Sequence, residues 1–142
     1  MNRINFWPIF SIKTILAIQF ATFVCIPAQV IAAPETVVIS GQSGGTVNSK
    51  SCGFVSTKPS YSLSLSKRTD YLQMSVTAEG GQPTLLVIGP KKDDSYCVLG
   101  DINAGLKPEI SGVWEAGKYE VYVGDRYGER HQFKLDISAI KK

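Results

Sequence analysis

Apolar and polar residues alternate with a period of two along much of the chain, and this pattern restricts the folds open to it. Successive side chains of a β-strand point to opposite faces, so alternation gives a strand one apolar and one polar face. No segment beyond residue 32 keeps the 3.6-residue period of an amphipathic helix over three turns. The sequence therefore predicts an all-β fold. The clearest alternating segments are YSLSLS (61–66), YLQMSVT (71–77), YEVYVGD (119–125) and HQFKLDIS (131–138).

Five shorter runs extend the strand pattern between turns rich in glycine, proline and charged residues. One of them, PTLLVIG (83–89), is continuously apolar, which is typical of a strand buried on both faces. KRTD (67–70) joins two alternating segments and predicts a hairpin turn between them. Eight or nine short strands at this spacing predict an antiparallel β-sandwich or a β-barrel. The other runs are TVVIS (36–40), SCGFV (51–55), SYCVLG (95–100) and EISGVW (109–114).

The first 32 residues have the layout of a secretory signal peptide. Arg3 and Lys13 lie in a basic start without acidic residues, and residues 14–33 follow without a charge. Small or aliphatic side chains then occupy the positions that a signal peptidase reads. We therefore expect a signal peptide over residues 1–32, cleaved after Ala32, and a secreted protein in the periplasm or the extracellular space.

An uncleaved membrane anchor is the alternative interpretation of this segment, because its apolar run is just long enough to span a bilayer. Pro27 and Gln29 interrupt the run and favour a cleaved signal. Cys25 does not indicate a lipoprotein, since bulky Phe23 and Val24 precede it where a lipid-attachment site requires small residues.

The rest of the chain divides into two parts. We expect residues 33–50 to form an N-terminal strand and a Gly/Ser-rich linker, and residues 51–142 to form the sandwich domain. About 110 residues are enough to bury one modest hydrophobic core. The sequence contains no internal repeat.

The charge balance argues against a nucleic-acid partner. The chain carries 15 basic and 12 acidic residues, and removal of Arg3 and Lys13 with the signal peptide lowers the net charge from +3 to +1. A nearly neutral domain lacks the positive field that drives nucleic-acid binding. We therefore expect no nucleic acid among its partners, and contact with a membrane only during export.

Cys52 and Cys97 are the two cysteines beyond residue 32. Paired cysteines of exported proteins are usually oxidised, so we expect a disulfide between them. A closed loop of about 45 residues corresponds to about 4 kcal/mol of stabilisation from chain entropy. Two buried free thiols are the alternative, whereas two cysteines and His131 are too few for a four-ligand metal site.

Residue patterns for catalysis are weak. Nucleophilic catalysis requires Ser or Cys beside His, and His131 is the single histidine. The loop acids Asp93, Asp94, Asp101 and Asp125 are candidates for a hydrolase with paired carboxylates, or for calcium. They lack the D-x-D-x-D-G spacing of a calcium loop, and acids are common in turns. We therefore expect no enzyme activity and no cofactor, with calcium left without support.

Aromatic residues are the best candidates for binding. By alternation Tyr71 and Tyr122 point away from the core, and Tyr127 lies in a turn with Arg126. Exposed aromatic rings stack on sugar faces or anchor a protein partner. Ordinary surface tyrosines are the alternative interpretation, and Trp114 is expected in the core.

Three segments carry a resemblance to a known family: QPTLLVIGP, YCVLGD and PEISGVWEAGKYEVYVGDRYGERHQFKLDIS. They resemble the bacterial pre-peptidase C-terminal domain and related small secreted β-sandwiches, notably cyanobacterial ones. The resemblance covers residues 83–138 best and residues 36–82 loosely. It implies an exported jelly-roll-like sandwich with a role in secretion, localisation or substrate binding beside a peptidase. This chain carries no peptidase, which leaves that role without an obvious client.

These observations predict a non-catalytic secreted β-sandwich module that binds or localises an extracytoplasmic partner, either a protein or a polysaccharide. Two alternatives stay open. One is a small secreted hydrolase that uses loop carboxylates, and the other is a structural envelope protein without a small ligand.

Overall fold

The computed structural model describes residues 36–140, so the expected signal peptide lies outside the described residues. These residues form ten strands and one short 3₁₀ helix, Ile102–Ala104. The strands are β1 (Thr36–Gln42), β2 (Val47–Asn48), β3 (Phe54–Val55), β4 (Tyr61–Leu65), β5 (Thr69–Ala78), β6 (Pro83–Ile88), β7 (Ser95–Leu99), β8 (Glu109–Trp114), β9 (Gly117–Asp125) and β10 (Gln132–Ser138).

The strands form two antiparallel sheets. Sheet A has the order β1-β10-β5-β8, and sheet B has the order β2-β3-β9-β6-β7, with β4 also paired to β9. Because β3 and β4 pair with opposite ends of β9, they occupy one interrupted strand position. If β2 is left out and β4 stands for the position that β3 and β4 share, the strand order of sheet B is β4-β9-β6-β7. These are the strand orders of an eight-stranded jelly roll, so the predicted fold class is confirmed.

Alternation places the core between the sheets. We call the face of each sheet that meets the other sheet its inner face. Both inner faces carry the apolar residues that the alternation predicted, and their packing excludes water from one continuous core. The fully buried members of this core are Met74, Val76, Leu85, Val87, Val121, Val123 and Leu135.

The segment KRTD does not form the hairpin that the sequence predicts. β4 pairs with β9 in sheet B, whereas β5 pairs with β10 and β8 in sheet A. The chain therefore crosses between the sheets at residues 66–68. Arg68 lies within 3.4 Å of Asp70 and within 3.8 Å of Glu115. Because both partners are largely exposed, these ion pairs add little to stability.

Residues 36–50, expected to form an N-terminal strand and a linker, contribute two paired strands to the sandwich. β1 pairs with β10 over seven residues, from Thr36 to Gln42. Ser43 then forms a corner, where its backbone N–H donates to the His131 carbonyl and its hydroxyl accepts from the His131 N–H. A Cβ at Gly45 would lie 2.1 Å from the Val55 carbonyl oxygen, so the glycines of this segment permit close backbone packing.

The predicted disulfide between Cys52 and Cys97 is present, with the two Cα atoms 5.6 Å apart. It joins the segment before β3 to the edge strand β7. Cys52 is fully buried, and its carbonyl accepts a hydrogen bond of 2.8 Å from the Thr84 hydroxyl on the outer face of β6. The disulfide-linked segment therefore covers one end of β6, which explains why part of this strand is buried on both faces.

No helix within residues 36–140 is long and apolar enough to cross a membrane.

Candidate functional site

An open cleft of about 190 Å³ lies between β7 and β8, the neighbouring edge strands of the two sheets. It is near the end of the sandwich that carries turns 66–68, 89–94 and 115–116, which we call the Trp114 end. Its residues come from the β6–β7 hairpin, from β8, and from the first half of β9. They are Pro90, Lys91, Asp94, Tyr96, Ile110, Ser111, Gly112, Val113, Trp114, Glu115 and Tyr119.

Three aromatic rings form the wall of this aromatic cleft. The Trp114 and Tyr119 rings meet edge to face, with centroids 5.0 Å apart, and Tyr96 follows with its centroid 6.4 Å from Trp114. The Trp114 indole donates to the Leu72 carbonyl at 3.1 Å, and the Tyr119 hydroxyl donates to the Glu115 carbonyl at 3.0 Å. Trp114 is only 5% exposed, as expected for a core residue, whereas Tyr96 is 46% exposed. Tyr96 is therefore the most solvent-exposed ring of this wall.

The position of Tyr96 follows from the strand order. Tyr96 pairs with Val87, whose side chain lies on the inner face of sheet B. The Tyr96 side chain therefore also lies on the inner face, where core residues are found. β7 is the edge of its sheet, and the opposing edge strand β8 covers its inner face only partly. An apolar ring that a central strand would bury is consequently open to solvent.

Polar groups surround the exposed ring. The Tyr96 hydroxyl donates to Asp94 Oδ1 at 3.0 Å, and this hydrogen bond, with the Asp94 charge, raises the pKa of Tyr96. Burial is the main cause that raises the pKa of Tyr119, with the Asp94 carboxylate adding to it. Both phenols therefore stay neutral at physiological pH. Lys91 and Glu115 add a cation and a carboxylate to the rim, which Ser111 of β8 also borders.

The structure does not bring Tyr71 and Tyr122 together. Tyr71 lies on the outer face of sheet A, where its hydroxyl is 3.4 Å from Gln73 Oε1. Tyr122 lies on the outer face of sheet B, where its hydroxyl donates to Glu120 Oε2 at 3.0 Å. Burial and this hydrogen bond raise the pKa of Tyr122. The outer faces of a sandwich look in opposite directions, so one ligand cannot contact both rings.

Arg126 and Tyr127 lie side by side in the turn after β9, with the guanidinium carbon 5.9 Å from the Tyr127 ring centroid. This turn belongs to the other end of the sandwich, where loops 79–82, 100–108 and 126–131 meet. We call it the Asp125 end. Of the four binding residues expected from the sequence, these two share one surface, which is distant from the aromatic cleft.

The loop acids occupy separate places. Asp125 is fully buried, and both of its carboxylate oxygens accept backbone N–H groups. Asp101 caps the 3₁₀ helix through a bond of 2.7 Å to the Asn103 N–H. Asp93 lies in the β6–β7 hairpin, at the opposite end of β6 from Asp125. Within residues 36–140 no group of three potential metal-ligating side chains occurs.

The His131 ring has a local hydrogen bond, and among the hydrogen bonds described for residues 36–140 no serine, threonine or cysteine side chain is bonded to the ring; the Ser43 hydroxyl bonds only the His131 backbone N–H. The ring Nε2 of His131 lies 3.0 Å from Glu129 Oε2. A Cβ on Gly80 or on Gly81 would lie 2.7 Å from the imidazole ring, so the ring packs closely on these glycines. These contacts are those of a structural residue that packs loop 126–131 against loop 79–82.

Sequence reasoning missed the aromatic cleft because its residues have the pattern of core residues. The alternation along their strands places the side chains of Trp114 and Tyr119 on the inner faces of the sheets, and both are buried. Tyr96 shares the parity of Val98 in SYCVL, and only the knowledge that β7 is an edge strand beside β8 shows its exposure. Asp94 was expected as a loop acid, but the hairpin that aims it at Tyr96 is a tertiary feature.

Comparisons with known proteins identify one relative and no characterised family. No protein-family model matches the chain, and no solved structure matches it. A protein of Synechococcus elongatus, described as uncharacterized, is 36% identical over 141 residues, and the alignment covers 96% of this chain and 98% of that protein. The similarity therefore extends over nearly the whole of both chains. The chain belongs to the same protein family as this uncharacterized protein of Synechococcus elongatus.

Proposed function

We propose that this protein is an exported, non-catalytic binding module that takes a polysaccharide chain in its aromatic cleft. The observation that carries the proposal is the half-exposed ring of Tyr96, held against Trp114 and hydrogen-bonded to Asp94. An aromatic face stacks on the apolar face of a sugar ring, and the adjoining carboxylates and hydroxyls accept and donate the hydrogen bonds that sugar hydroxyls require.

The form of the cleft favours a polymer over a small free ligand. Its volume of about 190 Å³ is below the roughly 300–1,000 Å³ of pockets that enclose a small molecule. The cleft also lies along the open gap, or seam, between the edge strands β7 and β8. One unit of a longer chain can therefore stack on Tyr96 while its neighbours extend past the seam.

Export is part of the proposal and has its own support. The first 32 residues have the charge and hydropathy pattern of a signal peptide. The Cys52–Cys97 disulfide is typical of proteins of the periplasm or the extracellular space. The resemblance of residues 83–138 to pre-peptidase C-terminal domains also implies an exported accessory module. The polysaccharide would accordingly be extracytoplasmic.

The proposal contains no catalytic step. A hydrolase that uses paired carboxylates requires two of them in one cleft with free oxygens. In the part of the chain that the structure describes, Asp125 uses both oxygens on backbone N–H groups. Asp93 and Asp101 lie in loops at opposite ends of β7. Asp94 and Glu115 both line the aromatic cleft, and the proposal assigns them to hydrogen bonds with sugar hydroxyls, as Asp94 already accepts one from the Tyr96 hydroxyl.

Affinity electrophoresis tests the proposal on the purified exported protein. Gels contain isolated cell-wall polysaccharide or exopolysaccharide of the source bacterium, with and without calcium. We expect one polysaccharide to retard the protein, and Tyr96→Ala to weaken this binding by about tenfold or more, since a lost stacking contact and its buried area amount to about 1.4 kcal/mol. Tyr96→Phe should keep most of the binding because it keeps the ring.

Tyr71→Ala is the matched control, since it removes a tyrosine from the outer face of sheet A and leaves the cleft intact. Retardation that Tyr71→Ala abolishes and Tyr96→Ala preserves would place the site elsewhere. The absence of retardation by every polysaccharide would reject the proposed ligand class.

A further inference from the structure

The Asp125 end of the sandwich exposes apolar side chains around a second groove, of about 420 Å³. Ile102 is 75% exposed and Tyr127 is 65% exposed, and Leu99 adds a third apolar side chain. Single exposed apolar residues are ordinary, whereas several around one concavity mark a surface that a partner covers. The groove is lined by Gln82, Leu99, Gly100, Asp101, Ile102, Arg126 and Tyr127.

The loops that present these side chains are held in place by the buried carboxylate of Asp125. Its Oδ2 accepts the Gln82 N–H at 2.7 Å, and its Oδ1 accepts the N–H groups of Tyr127 at 2.8 Å and Glu129 at 3.0 Å. The Arg126 N–H also donates to the Gln82 carbonyl at 2.9 Å. Loops 79–82 and 126–131 are thereby tied together, so the groove is preorganised and its occupation costs little ordering entropy.

Hydrogen bonds also fix the part of the groove that carries Ile102. The Asp101 carboxylate accepts the Asn103 N–H at 2.7 Å, and the Asp101 carbonyl accepts the N–H groups of Ala104 and Leu106. The exposed Ile102 side chain is therefore carried on a closed turn. Asp101 keeps a second carboxylate oxygen, which is available to an N–H donor from outside.

The groove carries one positive and one negative side chain, those of Arg126 and Asp101, so a matching partner presents a carboxylate to Arg126 and an N–H donor to Asp101. The Arg126 guanidinium lies over the Tyr127 ring, and no carboxylate oxygen of residues 36–140 lies within 4.0 Å of it. The same holds for the neighbouring Arg130, whereas Glu129 lies against His131. A guanidinium beside an apolar groove is the arrangement that recognises a carboxylate next to an apolar side chain.

We propose that this groove docks an extended segment of a partner protein in which an aspartate or glutamate neighbours an apolar residue. The apolar side chain lies between Ile102, Leu99 and Tyr127. The carboxylate pairs with Arg126, and the Asp101 carboxylate accepts a backbone N–H of the segment. The groove and the aromatic cleft lie near opposite ends of β7, so the protein can hold a polysaccharide and a protein segment together.

Other occupants fit the groove less well. In this groove a sugar chain has only the Tyr127 ring to stack on, and the Arg126 guanidinium already lies over that ring. Ile102 and Leu99 offer no stacking, because aliphatic side chains have no flat face. An anionic membrane surface would attract Arg126 and Arg130 but repel Asp101 and Glu129 of the same end, and the apolar residues border a concavity rather than a protruding tip.

Selection of random peptides on the protein tests the proposal without presuming a sequence. The full chain is produced in a bacterial host that exports it, and the purified product is immobilised and offered a phage-displayed library of short peptides. We expect the enriched peptides to share an acidic residue adjacent to an apolar one. Their binding, measured by fluorescence anisotropy, should weaken about tenfold or more in Arg126→Glu and in Ile102→Asp.

Two controls keep the result interpretable. Arg130→Glu removes the same charge from the same loop outside the groove, and Tyr96→Ala alters the cleft at the other end, so both should bind the peptides as the wild type does. Circular dichroism shows that each variant is folded, which is expected because the changed side chains are exposed.

Three outcomes would overturn the proposal. Enrichment of basic peptides, or of no peptide, would contradict the charge argument. Enriched peptides that bind Arg126→Glu and Ile102→Asp as well as the wild type would place the docking surface elsewhere. Sedimentation of the protein with vesicles of anionic phospholipid, lost in Ile102→Asp, would assign the surface to a membrane.

Discussion

At the scale of single residues, Asp125 shows how one carboxylate organises an end of the fold. A fully buried charge is costly unless hydrogen bonds compensate for its lost hydration. Here three backbone N–H groups provide that compensation, and in return the carboxylate fixes two loops. The sequence placed Asp125 among acids of a solvated turn, and nothing in the pattern YVGDRYG distinguishes a buried capping acid from an exposed one.

We expect Asp125→Ala to lower the free energy of unfolding by about 3 kcal/mol, because it leaves backbone N–H groups without their charged acceptor. Urea denaturation followed by tryptophan fluorescence measures the change. Asp101→Ala is the matched control. It removes one capping bond from an exposed 3₁₀ turn and should cost about 1 kcal/mol or less. Equal effects of the two substitutions would show that Asp125 does not tie the loops together.

The tyrosines give a second prediction at this scale. The pKa values of Tyr96, Tyr119 and Tyr122 are raised above 10.0 in the folded protein. Above about pH 10 the unfolded chain therefore releases tyrosine protons that the folded protein still holds, so stability is complete below that pH and falls as the pH rises. Urea denaturation at increasing alkaline pH measures this loss.

Tyr119→Phe isolates one part of the effect. Because burial is the main cause of the raised pKa of Tyr119, the variant should lose stability less steeply than the wild type above about pH 10. When tyrosinate absorbance is followed as the pH rises, the variant should also have one fewer tyrosine that ionises above the usual pKa of 10.0. An identical slope in the two proteins would mean that the Tyr119 hydroxyl is not buried.

At the scale of elements, the sequence predicts strands well and their partners poorly. Period-two alternation identified β4, β5, β9 and β10 with their inward residues, because alternation reflects burial of one face. Pairing depends on contacts between distant segments. KRTD thus looks like a hairpin turn although β4 and β5 belong to different sheets.

The disulfide is the element-scale feature whose energy is easiest to test. It closes a loop over a sequence separation of 45 residues, for which the chain-entropy estimate is about 4 kcal/mol. We expect the double variant Cys52→Ser, Cys97→Ser to lose about that much stability in urea denaturation. A thiol assay on the denatured exported protein should detect no free thiol. An unchanged melting midpoint in the presence of a reductant would argue against the bond.

At the scale of the whole molecule, the two ends of the sandwich have different chemistry. Three packed aromatic rings and two carboxylates line the cleft near the Trp114 end. The groove at the Asp125 end instead combines two aliphatic side chains with a single aromatic ring, an arginine and an aspartate. The sequence predicted that the side chains of Arg126 and Tyr127 are exposed because they lie in a turn, where exposure follows from local structure. It could not identify Tyr96, because its exposure follows from the order of strands in two sheets.

The most direct test of the proposed function is a map of where an oligosaccharide binds. Amide and indole NMR signals of the exported protein are followed while an oligosaccharide from the retarding polysaccharide is added. We predict shifts at Tyr96, Ser111 and the Trp114 indole, with Tyr71, Tyr122 and Tyr127 unchanged. Shifts confined to the outer face of either sheet, or to the Asp125 end, would contradict the assignment of the aromatic cleft as the polysaccharide site.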